Sequence, residues 1–179
     1  MSPARILLIS GSTRGGSTNT AALRTASAVA PAHVTARLFE GLAGLPAFNP
    51  DDDHEPLPPA VAELRREIAA ADAVLFCTPE YAGTLPGSFK NLLDWTVGGV
   101  EISAKPAAWI NVAAEGRGNG AQDSLGTVLG YVGARIIEPA CRRVSLARTA
   151  VGPDGQVADP AFRAAMTGVL QAILSDLNS

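Results

Sequence analysis

The sequence predicts a doubly wound α/β domain, a five-stranded parallel sheet with helices on both faces, spanning residues 1–179 as one unit. Three observations predict it. Apolar runs of strand length alternate along the chain with stretches of helical period. The inner runs, Ile6 to Ser10, Ala73 to Cys77 and Ala107 to Ala113, are apolar at nearly every position, as strands buried on both faces are. Each of these three runs breaks into a short loop ahead of a helix, where open α/β sheets bind ligands.

Taken in order, the first strand covers residues 4 to 10, and a helix runs from Ser17 or Thr18 to about Ala30, stopped by Pro31. His33 to Phe39 alternates in polarity, as a half-exposed edge strand does. Residues 40 to 59 lack periodicity and read as a long loop. Within it, Asp51-Asp52-Asp53-His54-Glu55 reads as a solvated acidic turn in preference to a metal site, because the spacing matches no calcium loop. Pro58 and Pro59 open a second helix, with Val61, Leu64 and Ile68 as its apolar stripe.

After the third strand, Ala73 to Cys77, a third helix is expected with Thr84 as N-cap and Pro86 in its first turn. Phe89, Leu92, Leu93, Thr96 and Val97 form a broad apolar face, and Gly98-Gly99 ends it. The fourth strand, Ala107 to Ala113, leads to a fourth helix stopped at Gly133. Arg135 to Glu138 is a short fifth strand. Asp159-Pro160 then caps a fifth helix carrying Phe162, Met166, Val169, Leu170, Ile173 and Leu177 at helical spacing. The strand order 2-1-3-4-5 brings the loops after strands one, three and four to one edge.

Composition narrows the function. With 47% hydrophobic and 17% charged residues, a disordered role is excluded. A net charge of −3 and a pI near 5.3 give no footprint for nucleic acid or an anionic membrane surface. No apolar run approaches bilayer-spanning or signal-peptide length, so a cytoplasmic location is expected. Two cysteines, Cys77 and Cys141, form no disulfide framework or metal spacing, and Cys77 reads as a small core residue.

Chemistry concentrates in the three loops. Gly11-Ser12-Thr13-Arg14-Gly15-Gly16-Ser17-Thr18-Asn19-Thr20 has the makings of a phosphate cradle. Glycines admit an oxyanion to the backbone, hydroxyls donate, Arg14 adds charge, and the helix start leaves amides free. The loop after strand three runs Thr78-Pro79-Glu80-Tyr81-Ala82-Gly83, and the loop after strand four runs Ala114-Glu115-Gly116-Arg117-Gly118-Asn119-Gly120. Within the latter, Glu115, Gly116 and Arg117 are candidates for ligand contact; its glycines match a dinucleotide fingerprint only weakly. There is no Walker pattern, no nucleophile elbow, and no partner for His33 or His54. Chemistry therefore falls to a bound cofactor.

Gly-Ser-x-Arg-x-x-Ser-x-Asn, at residues 11–19, resembles the FMN phosphate loop of the NAD(P)H-dependent FMN reductase family. Pro79-Glu80-Tyr81 through Pro86, Lys90-Asn91 and Asp94-Trp95 is similar to the family's other signature. The likeness extends over most of the chain and implies a flavodoxin-like fold. It also implies noncovalent FMN, and NADPH or NADH as donor of hydride to a small acceptor: a quinone, azo compound, metal oxyanion or free flavin. On matching positions, Ser12, Arg14, Ser17, Asn19 and Thr20 would hold the FMN phosphate, and Pro79, Glu80, Tyr81, Ala82 and Gly83 would wrap the isoalloxazine. Many members carry Asn where this chain has Ala82. Glu80 is expected to fix its loop, not to act as an acid.

Arg117 is a candidate for the ribose phosphate of NADPH, a solvated loop arginine being the alternative. By the same resemblance, the helix with Phe89, Leu92 and Trp95 would form a homodimer or homotetramer contact, core packing being the alternative. Two other functions remain open on residues alone: a flavodoxin-type electron carrier, and a flavin-free nucleotide-binding or nucleoside-processing protein.

Overall fold

In β1 (Ala4–Ser10), Ile6 and Leu8 face one layer of helices while Leu7 and Ile9 face the other, and all four are buried. The computed structural model describes residues 3–179. Its sheet is parallel throughout. β1 lies between β2 (Val34–Phe39) and β3 (Ala73–Cys77), and β4 (Pro106–Asn111) pairs outside β3, giving the expected order.

On one face, α1 (Thr18–Ala28) and α5 (Pro160–Leu177) cover Ile6, Leu8, Leu75, Cys77 and Ile110 with Leu23, Phe162, Met166 and Ile173. The other face carries α2 (Pro59–Ala70), α3 (Gly87–Asp94) and α4 (Asn119–Tyr131), which bury Val61, Leu64, Phe89, Leu92 and Leu125 against Leu7, Ile9 and Phe76. Fully apolar strands thus follow from having helices on both sides. α5 has the expected cap, and α1 starts where expected, with Ser17 as its cap. Ser17 Oγ accepts from the Asn19 amide, and Asp159 Oδ1 from that of Ala161 at 2.8 Å.

Three expectations are corrected. The fifth sheet position is not one strand: β5 (Arg135–Ile136) pairs with the start of β4, and β6 (Arg142–Arg143) pairs with its end. A 3-10 turn at Glu138–Ala140 separates them, because Pro139 has no N–H to give a ladder. Thr84 does not cap α3. It closes a tight hairpin with Tyr81, and α3 begins after Pro86.

Phe89, Leu92 and Trp95 do not form an outer face for a second copy; all three are wholly buried. The sheet takes one side of α3, and the loop of residues 40 to 59 takes another. Trp95 Nε1 donates to the Pro46 carbonyl at 2.9 Å and its ring meets Phe48 edge-on at 5.0 Å. Asn91 accepts from the Phe48 amide and donates to Pro46. The breadth of apolar character is therefore core. From the acidic turn of that loop, Asp53 pairs with Arg65 at 2.6 Å, and Arg65 also donates to the Trp95 carbonyl.

Candidate active site at the carboxyl edge of the sheet

The loops after β1, β3 and β4 meet at the carboxyl edge around a crevice of about 270 Å³. Thr18 and Asn19 line it from the first loop, Thr78, Pro79 and Glu80 from the second, and Ala113, Arg117 and Gly118 from the third. The first two loops are in direct contact. A Cβ on Gly11 would lie 2.2 Å from Thr78 Oγ1 and 2.9 Å from the Phe89 ring, so only glycine permits this approach.

In the first loop, Ser10 and Thr20 share a hydrogen bond between hydroxyls at 2.8 Å, and Ser12 Oγ accepts from the Arg14 amide. Among the described residues, the amides of Gly15, Gly16, Ser17 and Thr18 donate to no protein acceptor. These open amides stand at the N-terminus of α1, where the helix dipole favours an anion. Ser12, Arg14 and Thr20 line a second hollow of about 210 Å³ on the β2 side of the loop, with Arg24 and Glu40. Asn19 faces the crevice floor, its Oδ1 accepting from the buried Cys77 thiol at 3.4 Å. Burial pushes the Cys77 thiol well above its ordinary range.

The second loop is a hairpin of defined geometry. Tyr81 and Thr84 exchange backbone hydrogen bonds at 3.0 and 3.1 Å, and both residues between them have positive φ, +51° at Ala82 and +77° at Gly83. This is a type I′ turn, for which Asn-Gly is the favoured pair. Ala82 is therefore strained, where an Asn would suit the backbone. Tyr81, Ala82 and Gly83 stand exposed at the rim of the crevice.

Three contacts bind this hairpin to the first two turns of α4. Glu80 Oε2 accepts from the Ala121 amide at 3.2 Å, Thr84 Oγ1 and Ser124 Oγ share a hydrogen bond at 2.8 Å, and the Gly83 carbonyl sits against Gly120. A Cβ on Gly120 would lie 2.1 Å from that oxygen. Gly118, at the N-cap of α4, brings no capping side chain, and Glu80 supplies it from another loop. Glu80 thus fixes its loop, as expected.

The third loop rests on residues that sequence reasoning missed. Asn111 donates to the Arg117 carbonyl at 3.2 Å and accepts from the Ala113 amide at 2.9 Å. Arg143 donates to the carbonyls of Ala113, Ala114 and Arg117 and to Asn119 Oδ1. A polar residue ending an apolar strand was a usable signal for Asn111; nothing local marks Arg143. Glu115 and Gly116 are exposed and do not line the crevice, whereas Arg117 does.

A doubly wound domain with an anion cradle after its first strand, facing a crevice walled by the loops of its third and fourth, has the architecture of the flavodoxin-like class. The model of the NADPH-dependent FMN reductase family matches residues 4–147, and the chain belongs to that family. An NAD(P)H-dependent FMN reductase of Pseudomonas aeruginosa is 36% identical over 172 residues, covering 94% of this chain and 92% of the relative. A quinone reductase of Escherichia coli is 35% identical over 92 residues, 51% of this chain and 49% of that one. Among solved structures, the flavoenzyme NAD(P)H:(acceptor) oxidoreductase FerB of Paracoccus denitrificans superposes with a TM-score of 0.83 at 27% identity, covering 98% of this chain and 97% of FerB.

Proposed function

We propose that this protein is an NAD(P)H-dependent, FMN-containing oxidoreductase that reduces a small acceptor of the quinone, azo, metal-oxyanion or free-flavin kind. The observation that carries the reading is the pairing of the open amides at Gly15 to Thr18 with the crevice walled by Pro79, Glu80 and Arg117. The donor set fits FMN: hydroxyls, amides and Arg14 for a phosphate, and a crevice with backbone edges for a flat polar ring.

FMN, when bound, supplies the two-electron chemistry between nicotinamide nucleotide and acceptor. The chain supplies position and electrostatics. Ser12, Arg14, Ser17, Asn19 and Thr20 hold the phosphate. Pro79 to Gly83 form the wall beside the ring, with Tyr81 at its mouth. Arg117 closes the other side, with Glu115 and Gly116 of the same loop exposed beyond it. Glu80 is committed to the Ala121 amide and serves geometry, so no side chain here is asked to act as acid or base. Arg117 is exposed at the crevice and suits the extra phosphate of NADPH.

Self-association as a homodimer or homotetramer belongs to the same reading. With Phe89, Leu92 and Trp95 internal, the contact falls to exposed groups such as Val97 and Val100 beyond α3. Sedimentation at micromolar concentration tests it. A cytoplasmic location also belongs here, nicotinamide nucleotide being an intracellular donor. Among the described residues, no helix is long and apolar enough to cross a membrane.

The deciding experiment is a visible spectrum of the protein loaded with FMN and freed of excess, followed by anaerobic NADPH and then NADH. Flavin bands that bleach establish the reductase. Bands that persist with both nucleotides favour the electron carrier, and protein that retains no FMN discards the flavin site. If Arg117 reads the phosphate, Arg117→Ala lowers the NADPH to NADH activity ratio; an unchanged ratio returns it to a solvated loop arginine.

A further inference from the structure

We propose that Arg143 is a positioning residue for the crevice, gathering the carbonyls of the loop after β4 so that the amide of Gly118 is presented to negative charge on the ligand. Nη1 of Arg143 lies 3.3 Å from the Ala113 carbonyl oxygen, 3.2 Å from that of Ala114 and 2.8 Å from that of Arg117, while Nη2 bonds Asn119 Oδ1. One guanidinium thus ties both ends of the loop and the first residue of α4. Its planar fork of five donors suits this task, which a single ammonium cannot reproduce.

In a planar trans peptide the C=O of one residue and the N–H of the next point in opposite directions. Carbonyls of Ala113, Ala114 and Arg117 drawn onto Arg143 therefore turn the amides of Ala114, Glu115 and Gly118 away from it. Among the described residues, these three amides donate to no protein acceptor. Of these three residues Gly118 lines the crevice, beside Ala113 and Arg117, and Arg143 is not among its lining residues, so the Gly118 amide is the one presented there. Asn111 and Ser145 complete the mount, Asn111 on the Arg117 carbonyl and the Ala113 amide, Ser145 on the Ala113 carbonyl at 2.9 Å.

A cation on the oxygen side of a peptide group also polarises its N–H, making it a stronger donor. Fixed donors of this kind stabilise a ligand in proportion to the negative charge it carries, at no cost of reorganisation. Resting on the flavin reading above, the consequence is that Arg143 favours the reduced over the oxidised cofactor. The break at Pro139 matters here, because it sets β6 beside the end of β4 and so brings Arg143 under the loop.

The test compares the wild type with Arg143→Met and Arg143→Lys, measuring the Kd for oxidised FMN and the midpoint potential of the bound flavin by equilibration with a redox dye. In Arg143→Met, affinity for reduced FMN is expected to fall at least tenfold further than affinity for oxidised FMN, a drop of about 30 mV for a two-electron couple. The lysine variant, with charge but no fork, falls between. Equal losses for both redox states, with the potential unmoved, overturn the proposal and leave Arg143 a structural residue. Should the methionine variant fail to fold, a wild-type potential in Arg143→Lys overturns it as well. FMN uptake by the wild type is measured first, so failure of the flavin reading shows before any variant is made.

Discussion

The carboxylate of Glu80, in the loop after β3, accepts a hydrogen bond at 3.2 Å from the amide of Ala121 in the first turn of α4. This contact joins the wall of the crevice to the helix that follows the opposite wall, and it satisfies an amide that α4 has no side chain of its own to cap. Glu80→Ala should cost about 1 kcal/mol, as loss of a helix cap does. For a chain of this length that lowers Tm by about 2–4 °C. FMN affinity should fall as the hairpin loosens, and Glu80→Gln, which keeps an acceptor oxygen, should recover most of both. A glutamine variant as impaired in turnover as alanine, with normal Tm and FMN affinity, would instead make Glu80 a proton donor.

Ala82 sits at φ +51° in a turn whose first central position favours Asn or Gly. The left-handed conformation costs an L-residue about 1 kcal/mol. Ala82→Asn should therefore raise stability by roughly 0.5–1 kcal/mol without the unfolded-state entropy that glycine would add. Ala82→Val, β-branched, should lower it. Thermal melts of the apoprotein read both, free of any effect on the cofactor. A valine variant as stable as the wild type would mean that the hairpin is not held in this form.

What the residues alone disclosed, and what they hid, follows the range of the interactions concerned. Buried strands, apolar helical stripes and the Asp159 cap are local patterns, and each was legible. The crevice was legible because loops that follow parallel strands must gather at one edge. The hairpin at Tyr81 to Thr84 was not, since Ala-Gly lacks the usual turn signal. The docking of Pro46 and Phe48 on Trp95 was also hidden: residues 40 to 59 have no periodicity, and their packing on α3 is tertiary. That hidden contact is why a core helix resembled a free face. Arg143 lies 26 residues from the carbonyl of Arg117 that it holds, and no local pattern reports such a bond.

Neither thiol is poised to react. Burial raises the Cys77 thiol, and it raises that of Cys141 to about 11 despite a backbone hydrogen bond at Trp109 that pulls the other way. The thiolate is the nucleophile, so both should resist an aromatic disulfide reagent at pH 7.5 in the folded protein and both should react in urea. Rapid labelling of Cys77 in the native state would show that the crevice floor opens.

Arg135 at the edge of the sheet forms a two-pronged ion pair with Asp176 near the end of α5, at 2.7 and 2.6 Å. The hydrogen bonds from Arg135 hold the Asp176 carboxyl below the ordinary carboxylate value of 3.8. A lowered native pKa means that the unfolded chain takes up the proton first as pH falls. The stabilisation is therefore complete above that ordinary value and is lost as pH drops through the lower native one. Because the pair is partly exposed, it is worth at most about 1 kcal/mol. Asp176→Asn should thus melt slightly below the wild type at pH 7, and the gap should close in acid and shrink in molar salt, where exposed charges are screened. A gap equally wide at pH 7 and well below the carboxylate range would assign the effect to packing of the α5 terminus, with the charge of Asp176 playing no part.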